Sequence, residues 1–213
     1  MSQRLTVDEV VERRGIKEVL HFTTNRGLLG VIATRTLKAR ARLDEDDYLE
    51  FIFKANAPRI RDREYLRYVN LSISRLSAWF FNWSRDRHST EDLYWCILSF
   101  SPEILRHDGV LFATTNNIWT GCDRKPGGAG LEALFAKRVH RYSTLWAVRQ
   151  DSYPEDWPTC DYAEVLYPEQ VGTDFLERVY FETEDHMHHA AAQMVALNHP
   201  EIELRVAPEL FGT

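Results

Sequence analysis

Tyr94 to Phe100 (YWCILSF) is an almost unbroken apolar run, closed by Ser101-Pro102. At seven residues it is too short for a membrane span or an independent helix, and the following proline discourages continuation, so it reads as a buried strand. Such a strand must be covered by other elements. The chain therefore has to build a sheet with packed layers around it.

The remaining elements are placed by their periods. A short polar helix covers residues 6 to 13, and Glu18 to Thr23 reads as a buried strand ending in His-Phe-Thr. Asn25 caps a helix from Gly27 to Ala33, whose apolar face is Leu28, Leu29, Val31 and Ile32. Strand end and helix start meet at residues 21 to 27, where backbone N–H groups become available to a phosphate or amide ligand. An acidic, helix-compatible run (Asp44 to Lys54) is closed by Pro58 and leads into an arginine-rich connection. Tyr68 to Ser74 (YVNLSIS) alternates as a half-buried strand, and Ala78 to Ser84 (AWFFNWS) concentrates four aromatic rings. Those rings are expected mainly in the core. Trp79 and Trp83 nevertheless sit four apart on one helical face, the spacing of a possible stacking platform.

Further along, Val110 to Thr114 is a strand, Asn116-Asn117 a turn, residues 119 to 130 (WTGCDRKPGGAG) a Gly-rich loop, and Leu131 to Arg138 a helix. The loop's glycines match neither a dinucleotide fingerprint nor a P-loop, so they establish only flexibility or close backbone approach. Val148 to Thr159 has two prolines and no period, and reads as a long ordered loop of the kind that often carries function. Tyr162 to Tyr167 (YAEVLY) is a strand, with Val179 to Glu182 a candidate partner for it. A helix from about Asp185 to Leu197 and a last strand, Ile202 to Val206, follow. With no repeat or internal linker, the expectation is one α+β domain over residues 1 to 213, with a mixed or antiparallel sheet and flanking helices.

Composition excludes several classes. A chain of 213 residues, 44% hydrophobic, can bury a substantial core, which argues against a disordered polymer. No apolar run approaches the roughly 18 residues of a membrane span, and the start is too polar for a signal peptide, so a cytoplasmic protein without membrane contact is expected. Cys96, Cys122 and Cys160 form no Cys-x-x-Cys pair and are expected as free, mostly buried thiols. The net charge of −6 is uneven, for residues 54 to 88 carry eight Lys/Arg against three Asp/Glu. That basic stretch can hold a polyanion locally, although a solvated face is an equally simple account.

Few residues carry evident chemistry. Glu164 sits between Ala163 and Val165-Leu166 on a predicted core strand, which is costly unless the carboxylate faces a cleft, a charged partner or, at an edge, water. His21 poses the same question at the end of the earlier strand. His186, His188 and His189 lack the spacing of a metalloprotease helix, so no metal site is expected. A nucleophile elbow is likewise missing.

Several segments together resemble the DarT family, the toxin half of bacterial DarT–DarG toxin–antitoxin pairs. They are VLHFTTNRGLLGVIATRTLKAR, YVNLSIS, YWCILSFSPEIL with the Asn116-Asn117 turn, GLEALF and CDYAEVLYP, in family order across residues 19 to 168. The resemblance implies an ADP-ribosyltransferase fold, a split sheet with the co-substrate NAD held in the cleft between its halves and no metal. It makes Glu164 the catalytic glutamate and His21 the NAD-binding histidine, with Thr23, Asn25, Gly27 and Leu28 beside the cofactor. A catalytic arginine precedes the YVNLSIS-like strand in the family; Arg59, Arg61 and Arg63 stand there, and Arg61 is the choice. Residues 140 to 160 correspond to the loop that shapes the nucleic-acid substrate. Arg63, Arg75, Trp119 and Tyr153 are the side chains expected on the strand.

The activity so implied is transfer of ADP-ribose from NAD to a base of single-stranded DNA. The YVNLSIS and GLEALF segments look closer to the guanine-modifying branch than to the thymine branch. Guanine-branch toxins are paired with a NADAR-type hydrolase that removes the mark, thymine-branch toxins with a macrodomain, so a cognate antitoxin of one of these types is the expected partner. The alternatives are the same transfer to thymine or to RNA, or to a protein side chain, and a non-catalytic binder of single strands.

Overall fold

The computed structural model describes residues 5–43, 65–87 and 93–212. The acidic 44–54 segment and the arginines Arg59, Arg61 and Arg63 lie outside them. Helix α1 (Val7–Arg14) opens with a capping box between Thr6 and Glu9 and stops at Gly15, whose φ of 64° is left-handed. Strand β1 (Val19–Thr24) leads directly into α2 (Asn25–Thr34). The cap is Thr24 rather than the expected Asn25: the Thr24 hydroxyl accepts from the Gly27 amide at 3.2 Å, and Asn25 becomes the first helical residue. Short β2 (Thr36–Lys38) and α3 (Arg40–Leu43) follow.

After β3 (Tyr68–Ile73), α4 (Ala78–Arg87) and β4 (Trp95–Phe100) come β5 (Leu111–Ala113), β6 (Arg124–Pro126) and α5 (Gly127–Ala133). The expected helix over Leu131 to Arg138 is thus displaced toward the glycines. A Cβ on Gly128 would lie 2.3 Å from the Leu5 carbonyl oxygen, and one on Gly130 2.1 Å from that of Lys125. Close backbone packing therefore overrides weak helix propensity. Arg138 instead begins a hairpin, β7 (Arg138–Tyr142) and β8 (Leu145–Val148).

The chain ends with β9 (Glu164–Pro168), β10 (Gln170–Gly172), β11 (Leu176–Phe181), α6 (Glu184–Ala196) and β12 (Glu203–Val206). Among the described residues eight strands form one sheet in the order β12-β11-β4-β1-β3-β9-β5-β6. All neighbours are antiparallel except β11 and β12, which α6 joins as a crossover. The expected pairing of Val179 to Glu182 with the Glu164 strand does not occur. Both edges of β9 are taken, by β3 and β5, and β11 lies between β4 and β12.

The main core fills one side of the sheet, beneath α1, α2, α5 and α6, with Leu28, Val69, Leu71, Phe100, Val165 and Phe181 among its buried members. A second cluster around Leu20, Phe81, Trp95, Ile97 and Phe211 secures α4 on the opposite side. The three cysteines are free and buried. Among the described residues no helix is long and apolar enough to cross a membrane.

The sheet opens in its middle. β1 and β3 pair only at Val19↔Ile73 and Leu20↔Ser72, whereas β1 stays paired with β4 as far as Thr24 and β3 with β9 from Tyr68 to Leu71. From His21 onward each strand keeps its outer neighbour and loses the inner one. The result is a split with polar backbone on both lips, which demands side-chain or ligand partners.

Candidate active site

His21 lies at the first unpaired step of that split. Its Nδ1 bonds the Asn70 carbonyl oxygen at 2.9 Å, so an imidazole takes over where the backbone ladder stops. A carbonyl only accepts, so Nδ1 carries a proton, and in the neutral ring Nε2 is the acceptor nitrogen. Asn70 faces two ways. It pairs with Leu166 across the β3–β9 ladder, and its side-chain Nδ2 donates to Glu164 Oε1 at 3.0 Å, the diagonal neighbour on the same face.

Glu164 opens β9, half-buried between two strands rather than on an edge. Its second oxygen, Oε2, accepts from the Asn117 backbone N–H at 2.7 Å. Two donors on two separate elements thus fix the carboxylate plane. The Asn116-Asn117 turn supplying one of them is held by the Asn116 side chain, which accepts from the Ile118 amide at 3.0 Å. Arg124 ties the turn down from the other side, with its guanidinium on the carbonyls of Asn117, Trp119 and Cys122. Behind the turn, burial pushes the Cys122 and Cys160 thiols above the usual cysteine range. They are protonated wall, not nucleophiles.

Thr23, half-buried on β1, belongs to the same face as His21 by strand alternation. A Cβ on Gly27 would meet the Thr23 Oγ1 at 2.1 Å, so glycine there lets the hydroxyl lie against the start of α2. The Gly27 amide is itself taken up by Thr24, and the Asn25 amide donates to the Tyr94 carbonyl at 2.9 Å. The Leu28 side chain is 1% exposed and belongs to the core, which leaves only its backbone near the cleft.

The long loop over 149–163 is ordered as expected, and Arg75 is one reason. Its Nη2 donates to the Pro158 carbonyl at 2.8 Å, while its guanidinium lies over the Trp157 and Tyr153 rings at 4.6 and 5.1 Å. Arg75 and Tyr153, both expected on nucleic acid, are therefore brought into direct contact. Arg149 holds the same loop through the carbonyls of Trp157 and Pro154. Trp119 packs its ring edge against His140, 4.6 Å away on the hairpin, and His140 stacks on Trp146 at 4.4 Å. Arg61 and Arg63 fall outside the described residues.

Sequence reasoning missed Asn70, Asn117 and the hairpin. Asn70 sits at an outward position of an alternating strand, a visible but generic signal, and the Asn116-Asn117 pair was legible only as a turn. Among the described residues no group of three or more His, Cys, Asp and Glu side chains is placed to hold a metal ion. The arrangement offers an oriented carboxylate and an oriented imidazole on opposite lips of one split. That suits a substrate developing positive charge between them.

The profile of the DarT family, described as "ssDNA thymidine ADP-ribosyltransferase, DarT", matches residues 20–212. No curated protein matches the chain. Among solved structures, Thermus sp. 2.9 DarT in complex with NAD+ is similar at 12% identity and a TM-score of 0.63, over 92% of this chain and 97% of that one. The same Thermus protein in complex with ADP-ribosylated ssDNA gives 11% identity and a TM-score of 0.65, with 92% and 97% covered. Thermosipho africanus DarTG in complex with ADP-ribose gives 10% and 0.62, over 92% of this chain and 51% of that longer one.

Proposed function

The chain belongs to the DarT family of ADP-ribosyltransferases, which use NAD, and on that premise we propose that it transfers ADP-ribose to guanine in single-stranded DNA through Glu164. The observation that carries this reading is the hydrogen-bonded line from His21 through Asn70 to Glu164 across the split in the sheet. It places an imidazole and a carboxylate from distant segments at one opening.

The chemistry follows from those groups. As the bond between nicotinamide and ribose C1′ breaks, positive charge develops on the ribose, and the Glu164 carboxylate stabilises it. A bond then forms between C1′ and a nitrogen of the base, nicotinamide leaves, and Glu164 takes the proton that the base loses. His21, with Thr23 and the backbone at the start of α2, holds NAD. Arg61, from the basic segment before β3, holds phosphate or an electron-rich base through its planar guanidinium and never acts as a base. The target must be unpaired for its edge to reach the split.

Guanine is supported by the YVNLSIS and GLEALF segments, whereas the family description names thymidine. The biological setting of this reading is a cytoplasmic toxin held in check by an antitoxin hydrolase, of NADAR type if guanine is the target and macrodomain type if thymine is. The test is incubation of the intact protein with NAD and single-stranded DNA or RNA oligonucleotides lacking one base at a time, followed by mass spectrometry. An ADP-ribose increment on every DNA strand containing guanine, and on none without it, is expected. An increment that follows thymine or appears on RNA corrects the target; no increment on any strand sinks the transferase reading. Glu164→Gln should abolish the increment, with a rate loss of at least about a hundredfold.

A further inference from the structure

Helix α4 buries only Phe81 and Ser84 and leaves Trp79 53% and Trp83 36% exposed. Two tryptophans in water on one helix are costly if nothing covers them. Their rings lie nearly parallel, 15° apart with centroids at 6.2 Å, so they form one continuous apolar face. The Arg87 guanidinium sits 4.2 Å over the Trp83 ring at the far end. At the near end Tyr162 touches Trp79 at 6.1 Å and Phe80 at 4.9 Å, and Arg141 lies 4.2 Å over the Tyr162 ring. Tyr162 precedes Glu164 by two residues. A row of rings with a cation at each end thus leads away from the catalytic carboxylate.

We propose that Trp79, Trp83 and Tyr162 form a stacking track for the bases flanking the target in a single-stranded DNA substrate. The inference rests on the single-stranded DNA reading above and adds a second site to it. Flat, contiguous rings, exposed at Trp79 and Trp83 and half-buried at Tyr162, accept any base face, and Arg87 supplies positive charge for the phosphates between them, whereas Arg141 is already paired with Asp161 at 2.9 Å. Asp86 is the sole acid on α4, and Arg85 at the same end is engaged with Glu182 at 3.5 Å. Continuity with Glu164 favours the substrate strand over a protein partner as the occupant.

The test is a binding titration without NAD, comparing a labelled trinucleotide with a twelve-nucleotide strand, each as DNA and as RNA, on the intact protein. The DNA twelve-mer should bind the wild type far more tightly than the trinucleotide. The double variant Trp79→Leu/Trp83→Leu should lose about tenfold or more of the twelve-mer affinity. Trp79→Phe/Trp83→Phe should recover much of it, because phenylalanine stacks and leucine only packs; a merely structural apolar role would not separate the two variants. Twelve-mer affinity within twofold of wild type in the leucine variant, equal loss in both variants, or preference for the RNA strand overturns the proposal. Since no NAD is present, these outcomes stand apart from whether the wild type modifies DNA.

Discussion

Asn70 donates its side-chain Nδ2 to Oε1 of Glu164 at 3.0 Å while its backbone carbonyl accepts from His21 Nδ1 at 2.9 Å. One residue on β3 therefore orients a group on each side of the split, by chemically separable means. Substitution of the side chain breaks one link and leaves the other intact.

Asn70→Ala is accordingly expected to slow the chemical step more than it weakens NAD binding. A hydrogen bond to a charged partner is worth about 1.5–3 kcal/mol, so kcat should fall roughly ten- to hundredfold. The KM for NAD should change far less, because the His21 anchor is main chain. Single-turnover transfer to an oligonucleotide, alongside NAD titration, reads both quantities. An unchanged kcat would mean that the carboxylate is oriented without the Asn70 side chain.

Gly27→Ala addresses the NAD side. The new methyl would sit 2.1 Å from the Thr23 hydroxyl, a side-chain atom that can rotate away, so the fold should survive. Displacing that hydroxyl should raise the KM for NAD about fivefold, the worth of one hydrogen bond. Thr23→Ala should reproduce the effect, and the double variant should add little to either single change. Independent, additive losses would place the threonine away from NAD.

Arg75→Ala tests what holds the loop over 149–163. It removes the donor to Pro158 and the cation stacked on Trp157 and Tyr153. Stacking of this kind contributes about 1–2 kcal/mol, so amide exchange across the loop should accelerate roughly tenfold. Transfer to DNA should fall with it. Unaltered protection would show that Arg149 suffices to order the loop.

Acid sensitivity is expected where α1 meets α5. Burial works to raise the Glu132 carboxyl, but hydrogen bonds from Arg14 and Arg13 outweigh it and hold the group below its ordinary value of 4.5. A depressed carboxylate contributes stability that is whole above the unfolded pKa and lost as pH falls through the lower folded one. Glu132→Gln should therefore melt below the wild type at neutral pH by no more than roughly 2–4 °C, reflecting at most about 1 kcal/mol for a partly exposed pair. Thermal melts should converge once the pH has fallen below the depressed folded pKa. A gap that persists there would locate the effect in packing instead of charge.

Much of this architecture was legible because strand and helix periods are local properties of the chain. The buried run over 94–100, the alternation of YVNLSIS and the helix near the C terminus all formed close to where expected. The Gly-rich segment misled because its glycines serve packing against Leu5, Thr6 and Lys125, partners that no local pattern reveals. The hairpin over 138–148 escaped for a related reason. It carries exposed Tyr142, Leu145 and Trp146, so it lacks the polar-out alternation by which a surface strand is recognised.

By itself, the sequence determined an α+β chain with free thiols, the identity of Glu164 and His21 as residues out of place on apolar strands, and, through its ordered motifs, a family. It could not determine where the sheet divides. That depends on β1 and β3 ceasing to pair after two residue pairs, an event between segments far apart in the chain. His21 and Asn70 are separated by 49 positions, and Asn70 and Glu164 by 94. Periodicity reports which face of an element is buried, whereas the meeting of two lips of a cleft is decided by which strand edges remain unpaired once every other edge has found its neighbour.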